Sequence, residues 1–411
     1  MKRPLVLLAA LALAVGLLPA PAQAATGHTR TTRWDSATTL AQGTFEGTRL
    51  DAGAIVLSKP TFTRTRTDPY AGGGAVTWSY GRWTSPWAAS GSEAARLVPS
   101  WSAGVPDGTW MRVLARVKRG TTVGSWDLVG EWGFGPNGMR RASATAQPDD
   151  LTSVDVDTVK ANPGGRFHGW QLRVELVRRP GSTATPRVRS VSGNVSSYAT
   201  RSIPTSPTTM TRTTILDVPS FSQMTHRGHF PQWGGGGEAW CSPTSVAMLL
   251  RYFGSGPAPS QYSGWAGADG QVDHAARYSY DHRYEGTGNW GFSTAYASQY
   301  GMDAFVTRLS DLRDAEAFVK AGIPVVVSVR FGRGELTGAP ISSTNGHLLV
   351  VSGFTADGRV VVNDPAGASN GAVRRTYSRA QLERAWLQGS GGVTYVVRPP
   401  STPLPKDTLR W

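Results

Sequence analysis

Between residues 51 and 196 apolar and polar positions alternate with a period of two. Met111, Val113, Ala115 and Val117 interleave with Arg112, Leu114, Arg116 and Lys118. Trp170, Leu172, Val174 and Leu176 interleave with Gln171, Arg173, Glu175 and Val177. Aromatic-rich runs at 75–80, 97–101 and 125–132 sit between Gly, Pro and Asp. Alternation at short spacing, broken by Pro136-Asn137-Gly138 and Asn162-Pro163-Gly164-Gly165, predicts an antiparallel all-β sandwich, jelly-roll-like in kind. The tryptophans from Trp78 to Trp170 either fill its core or form an exposed sugar-binding platform; core filling is the commoner use of an indole.

Beyond residue 214 the period changes. Val246, Leu249, Leu250 and Phe253 fall at helical spacing behind Pro243, and Gly254 stops the helix. Further helices are expected at 292–300, from a Ser310 cap to Gly322, and from the capping box Ser378-x-x-Gln381 to Leu387. Residues 325–329 read as a buried strand, 347–354 and 359–363 as a hairpin turning at Asp357-Gly358, and 393–397 as a last strand. A helix-first segment followed by an antiparallel sheet is α+β.

Composition then sets boundaries. A chain of 411 residues suits two domains. Lys2 and Arg3, an apolar run from Leu5 to Leu18 and Ala22-Gln23-Ala24 make residues 1–24 a secretory signal peptide, too short for a membrane span. Residues 25–50 read as a flexible lead-in, 51–196 as the sandwich, 197–213 as a Ser/Thr/Pro linker, 214–398 as the second domain and 399–411 as a tail. No later run is apolar for long enough to span a membrane, so the expected location is extracellular. The net charge of +14 is nearly all arginine, spread along the chain. That spread suits a solvated surface or anionic surroundings such as cell-wall polymers, and no nucleic-acid module is recognisable.

The single cysteine, Cys241, cannot form an intramolecular disulfide. It is either a small buried hydrophobe or a nucleophile. A glycine loop at 234–237 leads into it and a helix starts behind it, which favours the thiolate and, with Trp240, would place it at the lip of a cleft. A base should be histidine. His226 and His229 form an H-x-x-H pair with no further ligand nearby in sequence, so no metal or cofactor is assigned. His274 and His282 fall in a polar loop. His347 differs: Gly346 precedes it and the apolar run Leu348-Leu349-Val350-Val351 follows. Asp364 closes the partner strand at Pro365 and is placed to orient the imidazole. A tight turn at Asp357-Gly358 would set Asp364 opposite Val351, four residues or about 13 Å from His347. Contact therefore requires a longer loop or a bulge, and a longer loop is expected. Asp155 and Asp157 read as solvent-face acids.

Val218-Pro219-Ser220-Phe221-Ser222-Gln223, Trp240-Cys241-Ser242-Pro243, Gly346-His347 and Asn363-Asp364-Pro365 together resemble the stand-alone, secreted C39-like branch of the papain-like cysteine peptidases. The resemblance covers about residues 214–398 and implies a papain-like α+β fold with an N-terminal catalytic helix. It implies Cys241 as nucleophile, His347 as base and then acid, and Asp364 as orienting group. It also implies Gln223 and the Cys241 N–H as oxyanion donors. The family often has Gly where Ser242 stands, so the added hydroxyl would narrow the cleft or alter the loop. The expected activity is peptide or amide hydrolysis, on a peptide or protein substrate, with cell-wall association one option. Two other readings stay open: a wall- or glycan-binding protein with an inactive papain-like domain, and a transpeptidase or acyltransferase using the same triad. Oligomeric state is not readable from the sequence.

Overall fold

The computed structural model describes residues 28–148, 150–265 and 267–406, so the expected signal peptide and the end of the tail lie outside the described residues. Three antiparallel sheets and a few helices account for its regular structure. The first two sheets belong to the N-terminal region. Their central strands are Arg96–Gly104 with Arg187–Ser196 in one, and Thr109–Arg119 with Phe167–Arg178 in the other. Trp101, Val188 and Val191 from the first sheet and Met111, Val113, Leu172 and Val174 from the second share one core. The period-two reading of 111–117 and 170–176 thus found the inward faces. Trp78, Trp83, Trp101, Trp110, Trp132 and Trp170 are all buried, so most of the indoles fill the interior. Trp87 and Trp126 are partly exposed, and the Arg116 guanidinium lies 5.1 and 4.5 Å from their ring centres.

The lead-in departs from expectation. Thr29–Trp34 is a strand that pairs along its whole length with Arg187–Ser196. Its Thr/Arg composition hid the role because Trp34 is its one fully buried anchor. Residues 197–213 are extended but docked. Ser206 and Thr209 donate to Glu383 and Glu316, carboxylates on two helices of the C-terminal region.

The third sheet runs from Asp303–Arg308 at one edge through Val393–Arg398, Val325–Phe331, Thr344–Phe354 and Val360–Asn363 to Arg374–Tyr377. Helices cover both faces. Val325, Val327 and Val329 pack with the Leu312–Lys320 and Arg379–Ser390 helices, whereas Val326 joins the core of the Cys241–Tyr252 helix. Burial on both faces is why this strand reads as an unbroken apolar run. Two caps differ from expectation. The 312–320 helix is capped by Asp311, whose side chain accepts from Arg313 N, and not by Ser310. Ser378 is an N-cap without a side-chain bond, and the Gln381 side chain reaches Thr337, so the expected capping box does not form. The Gly270–Ser279 helix was not anticipated; His274, expected in a loop, lies buried on it.

The two regions share a core. Phe292, on the Trp290–Gln299 helix, packs edge-on or tilted against Trp101 and Trp132 of the N-terminal sheets at 6.1 and 5.2 Å. Ser100 and Ser102 accept from the backbone N–H groups of Val306 and Ala304. Arg33 and Arg398 both hold Asp303. An apolar and hydrogen-bonded junction of this kind fixes the N-terminal sheets against the region that carries Cys241.

Candidate active site

Cys241 is the first residue of its helix, half-buried, and opens onto a cleft of 610 Å³. The loop before it needs its glycines. Gly234, Gly235 and Gly236 have φ of 77°, 98° and 97°, a region costly for a side chain, and a Cβ on Gly237 would collide with the His226 carbonyl. Trp240 itself does not line that cleft. It is fully buried, and its Nε1 donates to the Trp233 carbonyl at 2.7 Å, which anchors the loop from inside. Pro243 sits in the first turn, where no N–H is required.

His347 lies on the Thr344–Phe354 strand and is 3% exposed. Its Nε2 is 2.8 Å from Asp364 Oδ1. The Cys241 thiol is close enough for the two groups to shift one another's pKa, and with Nε2 taken by Asp364, Nδ1 is the nitrogen left for the sulfur. Asp364 is fully buried and accepts also from Tyr377 OH at 2.7 Å and Ala366 N at 3.0 Å. The register that brings His347 and Asp364 together uses both devices considered above. Thr355 N donates to Arg359 O, so the loop is longer than a two-residue turn, and a bulge falls between Val351 and Gly353. Val350 then faces Asn363, which moves Asp364 toward His347. The same bulge lets Val351 and Phe354, three residues apart, enter one apolar cluster.

The electrostatics are those of an ion pair. Burial pushes the Cys241 thiol up, but His347 and the N–H groups of Leu348 and Ser242 outweigh it and hold the thiol below its ordinary value. Burial pulls His347 down; the Asp364 carboxylate and the Cys241 sulfur reverse this and leave it well raised. Burial raises Asp364, and the His347 charge with three hydrogen-bond donors turns the balance downward.

Gln223 opens a short 3-10 turn, Gln223–His226, and is 4% exposed. Its N–H bonds Pro365 O, next to Asp364, and its Nε2 donates to Glu238 O, three residues before Cys241. The amide is therefore tied to both sides of the site. Ser242 does not narrow the cleft: its hydroxyl is buried between Ser293 Oγ at 2.8 Å and Tyr395 OH at 3.1 Å.

Folding supplies the H-x-x-H pair with a third group that local spacing concealed. Asp273, on the Gly270–Ser279 helix, lies 2.7 Å from His226 Nδ1 and 2.9 Å from His229 Nδ1. The three form the one group among the described residues with metal-like proximity. The Nδ1 of each ring has its own carboxylate oxygen, which makes the group a hydrogen-bonded clamp, while His226 Nε2 is buried without a hydrogen-bond partner.

Residues 215–393 match the Peptidase_C39 like family and residues 30–196 match the Peptidase C39 N-terminal domain. The chain belongs to the C39-like peptidase family. No curated protein matches it. Among solved structures, the X-ray structure of the laminarinase from Rhodothermus marinus matches 36% of this chain and 80% of its own. It is 13% identical with a TM-score of 0.20, a likeness that carries no argument.

The cleft also exposes residues that sequence reasoning did not select. Arg96, Asp157 and Arg308 line it together with Cys241. Asp157, expected on a solvent face, is 8% exposed and accepts from Trp290 N at 2.7 Å. One signal was available: Arg308 ends a strand, Asp303–Arg308, that is otherwise apolar at its centre.

Proposed function

We propose that this C39-like family member is a secreted thiol peptidase or amide hydrolase working through Cys241, His347 and Asp364. The observation that carries the reading is the buried imidazole held by Asp364 on one nitrogen, beside a half-buried thiol whose pKa it lowers. It favours hydrolysis over an inactive fold, since a merely structural cysteine needs no charged partner. In a papain-like arrangement the Cys241 thiolate attacks the carbonyl carbon of the scissile amide. The Gln223 Nε2–H and the Cys241 N–H donate to the developing oxyanion. His347 gives its proton to the leaving amine as the C–N bond breaks, and a thioester remains. Water then attacks the thioester while His347 takes its proton; the acid leaves and the thiol is regenerated. Asp364 stays ionised and keeps the imidazole in the productive tautomer. The apolar leader at 1–24 supports action outside the cell.

The test is iodoacetamide labelling of Cys241 across pH, paired with digestion of a peptide library by wild type and by Cys241→Ala. Fast alkylation near neutral pH and cleavage only by wild type are expected. Alkylation that begins only near the ordinary thiol range, about 8.5, overturns the reading. Gln223→Ala should lower kcat by about 10²–10³-fold, the usual loss for one oxyanion donor.

A further inference from the structure

The cleft at Cys241 has two walls from different parts of the chain. Cys241, Gly346 and Leu348 belong to the C-terminal region, while Arg96 and the hairpin formed by Thr152–Asp155 and Thr158–Ala161 belong to the N-terminal sheets. The hairpin tip is strained. Val156 has φ of 56°, an outlier for a β-branched residue, and Glu285 on the facing loop has φ of 55°. Both residues line the cleft. Strain of this kind persists where a binding surface is held in place by its surroundings.

Arg308 is the unexplained charge in this cleft. It is 2% exposed; one guanidinium nitrogen donates to Asn194 Oδ1 at 2.9 Å, and Nε has no partner. Among the described residues no carboxylate forms an ion pair with it or with the half-buried Arg96. Two of the acids nearby are engaged. Asp155 pairs with Lys160 and Asp157 accepts from Trp290 N and Thr158 Oγ1, while Glu285 and Arg330 both line the cleft. A buried guanidinium with an unused donor costs stability unless something supplies an acceptor.

We propose that the N-terminal sheets complete the substrate cleft, and that Arg308 and Arg96 receive a carboxylate of the peptide substrate beside Cys241. The proposal rests on Cys241 acting as the nucleophile. An acidic side chain or terminal carboxylate would fill the donor set of Arg308 and neutralise both cations. The N-terminal region is then part of the specificity of the enzyme and not a separate binding module.

The test uses the full chain carrying Cys241→Ala and fluorescence anisotropy with labelled peptides that carry Asp or Glu, matched against peptides with Asn or Gln at the same positions. Acidic peptides should bind at least about tenfold more tightly, the size of one modest charge pair. The preference should shrink with added salt and fall to near unity in Arg96→Gln and in Arg308→Met. Arg308 is buried and its variant can misfold; Arg96→Gln, at a half-buried position, keeps the test decisive. Equal binding of acids and amides, or a preference that survives in folded Arg96→Gln, overturns the proposal. A phosphoserine peptide that binds more tightly than its glutamate counterpart overturns the carboxylate assignment. Iodoacetamide labelling of the wild type separates the two readings: a reactive Cys241 without acid preference defeats the cleft proposal alone, and an unreactive Cys241 defeats the peptidase reading.

Discussion

Two buried histidine–carboxylate sets occupy the C-terminal region. Asp364 holds His347 through Nε2, and the other face of that ring meets a half-buried thiol at a cleft. Asp273 holds His226 and His229 through Nδ1 of each, and the rings beyond them are Trp240 and Phe230. Imidazole and carboxylate are common to both. The difference lies in what the outer edge of the ring touches. Where it is a thiol, the pair is arranged to serve as the base of the proposed reaction; where it is an aromatic wall, the pair is a clamp. The clamp still serves the site, because His226 ends the short turn that Gln223 begins and its carbonyl packs against Gly237.

Crossed substitutions give the largest effects. Cys241→Ala should cut kcat by about 10⁴-fold or more, as loss of a nucleophile does. Its cost in stability should stay under about 1 kcal/mol, since it removes one sulfur at a half-buried position. Asp273→Ala should do the reverse. Leaving two imidazoles without their carboxylate should cost about 3–5 kcal/mol in thermal or denaturant unfolding, the range for breaking a buried pair. The folded fraction should keep the alkylation profile of Cys241. If Asp273→Ala instead shifts that profile while stability holds, the clamp belongs to the catalytic machinery and the contrast fails.

The pH response sharpens the same contrast. Thiolate at Cys241 is favoured below its ordinary range, and His347 keeps its proton to about 10. Activity should therefore rise through an acid limb as the thiol ionises and fall through an alkaline limb above the usual histidine range. His347 carries a raised value, so its contribution to stability is full below about 6.5 and is lost as pH climbs toward about 10. Asp364 carries a lowered value; its contribution is full above about 3.9 and is lost as pH falls through its folded value. Asp364→Asn should move the alkaline limb of activity downward, because the charge that raises His347 is gone. A limb that stays in place would mean Asp364 only positions the ring.

The sequence revealed some of this and hid the rest for physical reasons. Period-two alternation exposed the inward faces at 111–117 and 170–176, and helical spacing exposed the Cys241–Tyr252 helix, because one face of each element is buried. Thr29–Trp34 escaped because an edge strand with one buried tryptophan leaves no pattern. The register at His347 could be posed as a problem but not solved, since a bulge at 351–353 has no composition signal of its own. The roles of Asp273, Asp157 and Arg308 were not assigned from the sequence. Each acts through a partner far away in the chain, such as His226 for Asp273 or Trp290 for Asp157, and local spacing says nothing about such pairs.

Ser242→Gly should give the smallest effect. The Ser242 hydroxyl points into the interior, between Ser293 and Tyr395, and away from the cleft. Ser293 keeps its bond to Asn289 O when that hydroxyl is removed, so few donors are orphaned. Glycine in the first helical turn adds a backbone-entropy cost of about 0.5–1 kcal/mol. The melting temperature should fall by about 2–4 °C, and kcat/KM should change by less than about tenfold, the factor that 1.4 kcal/mol would produce. The measurement matters because it asks which side of the helix start faces substrate. If Ser242→Gly instead opened the cleft to bulkier peptides, the hydroxyl would have to face the ligand, and the Cys241 turn would be oriented differently from the one that pairs its sulfur with His347.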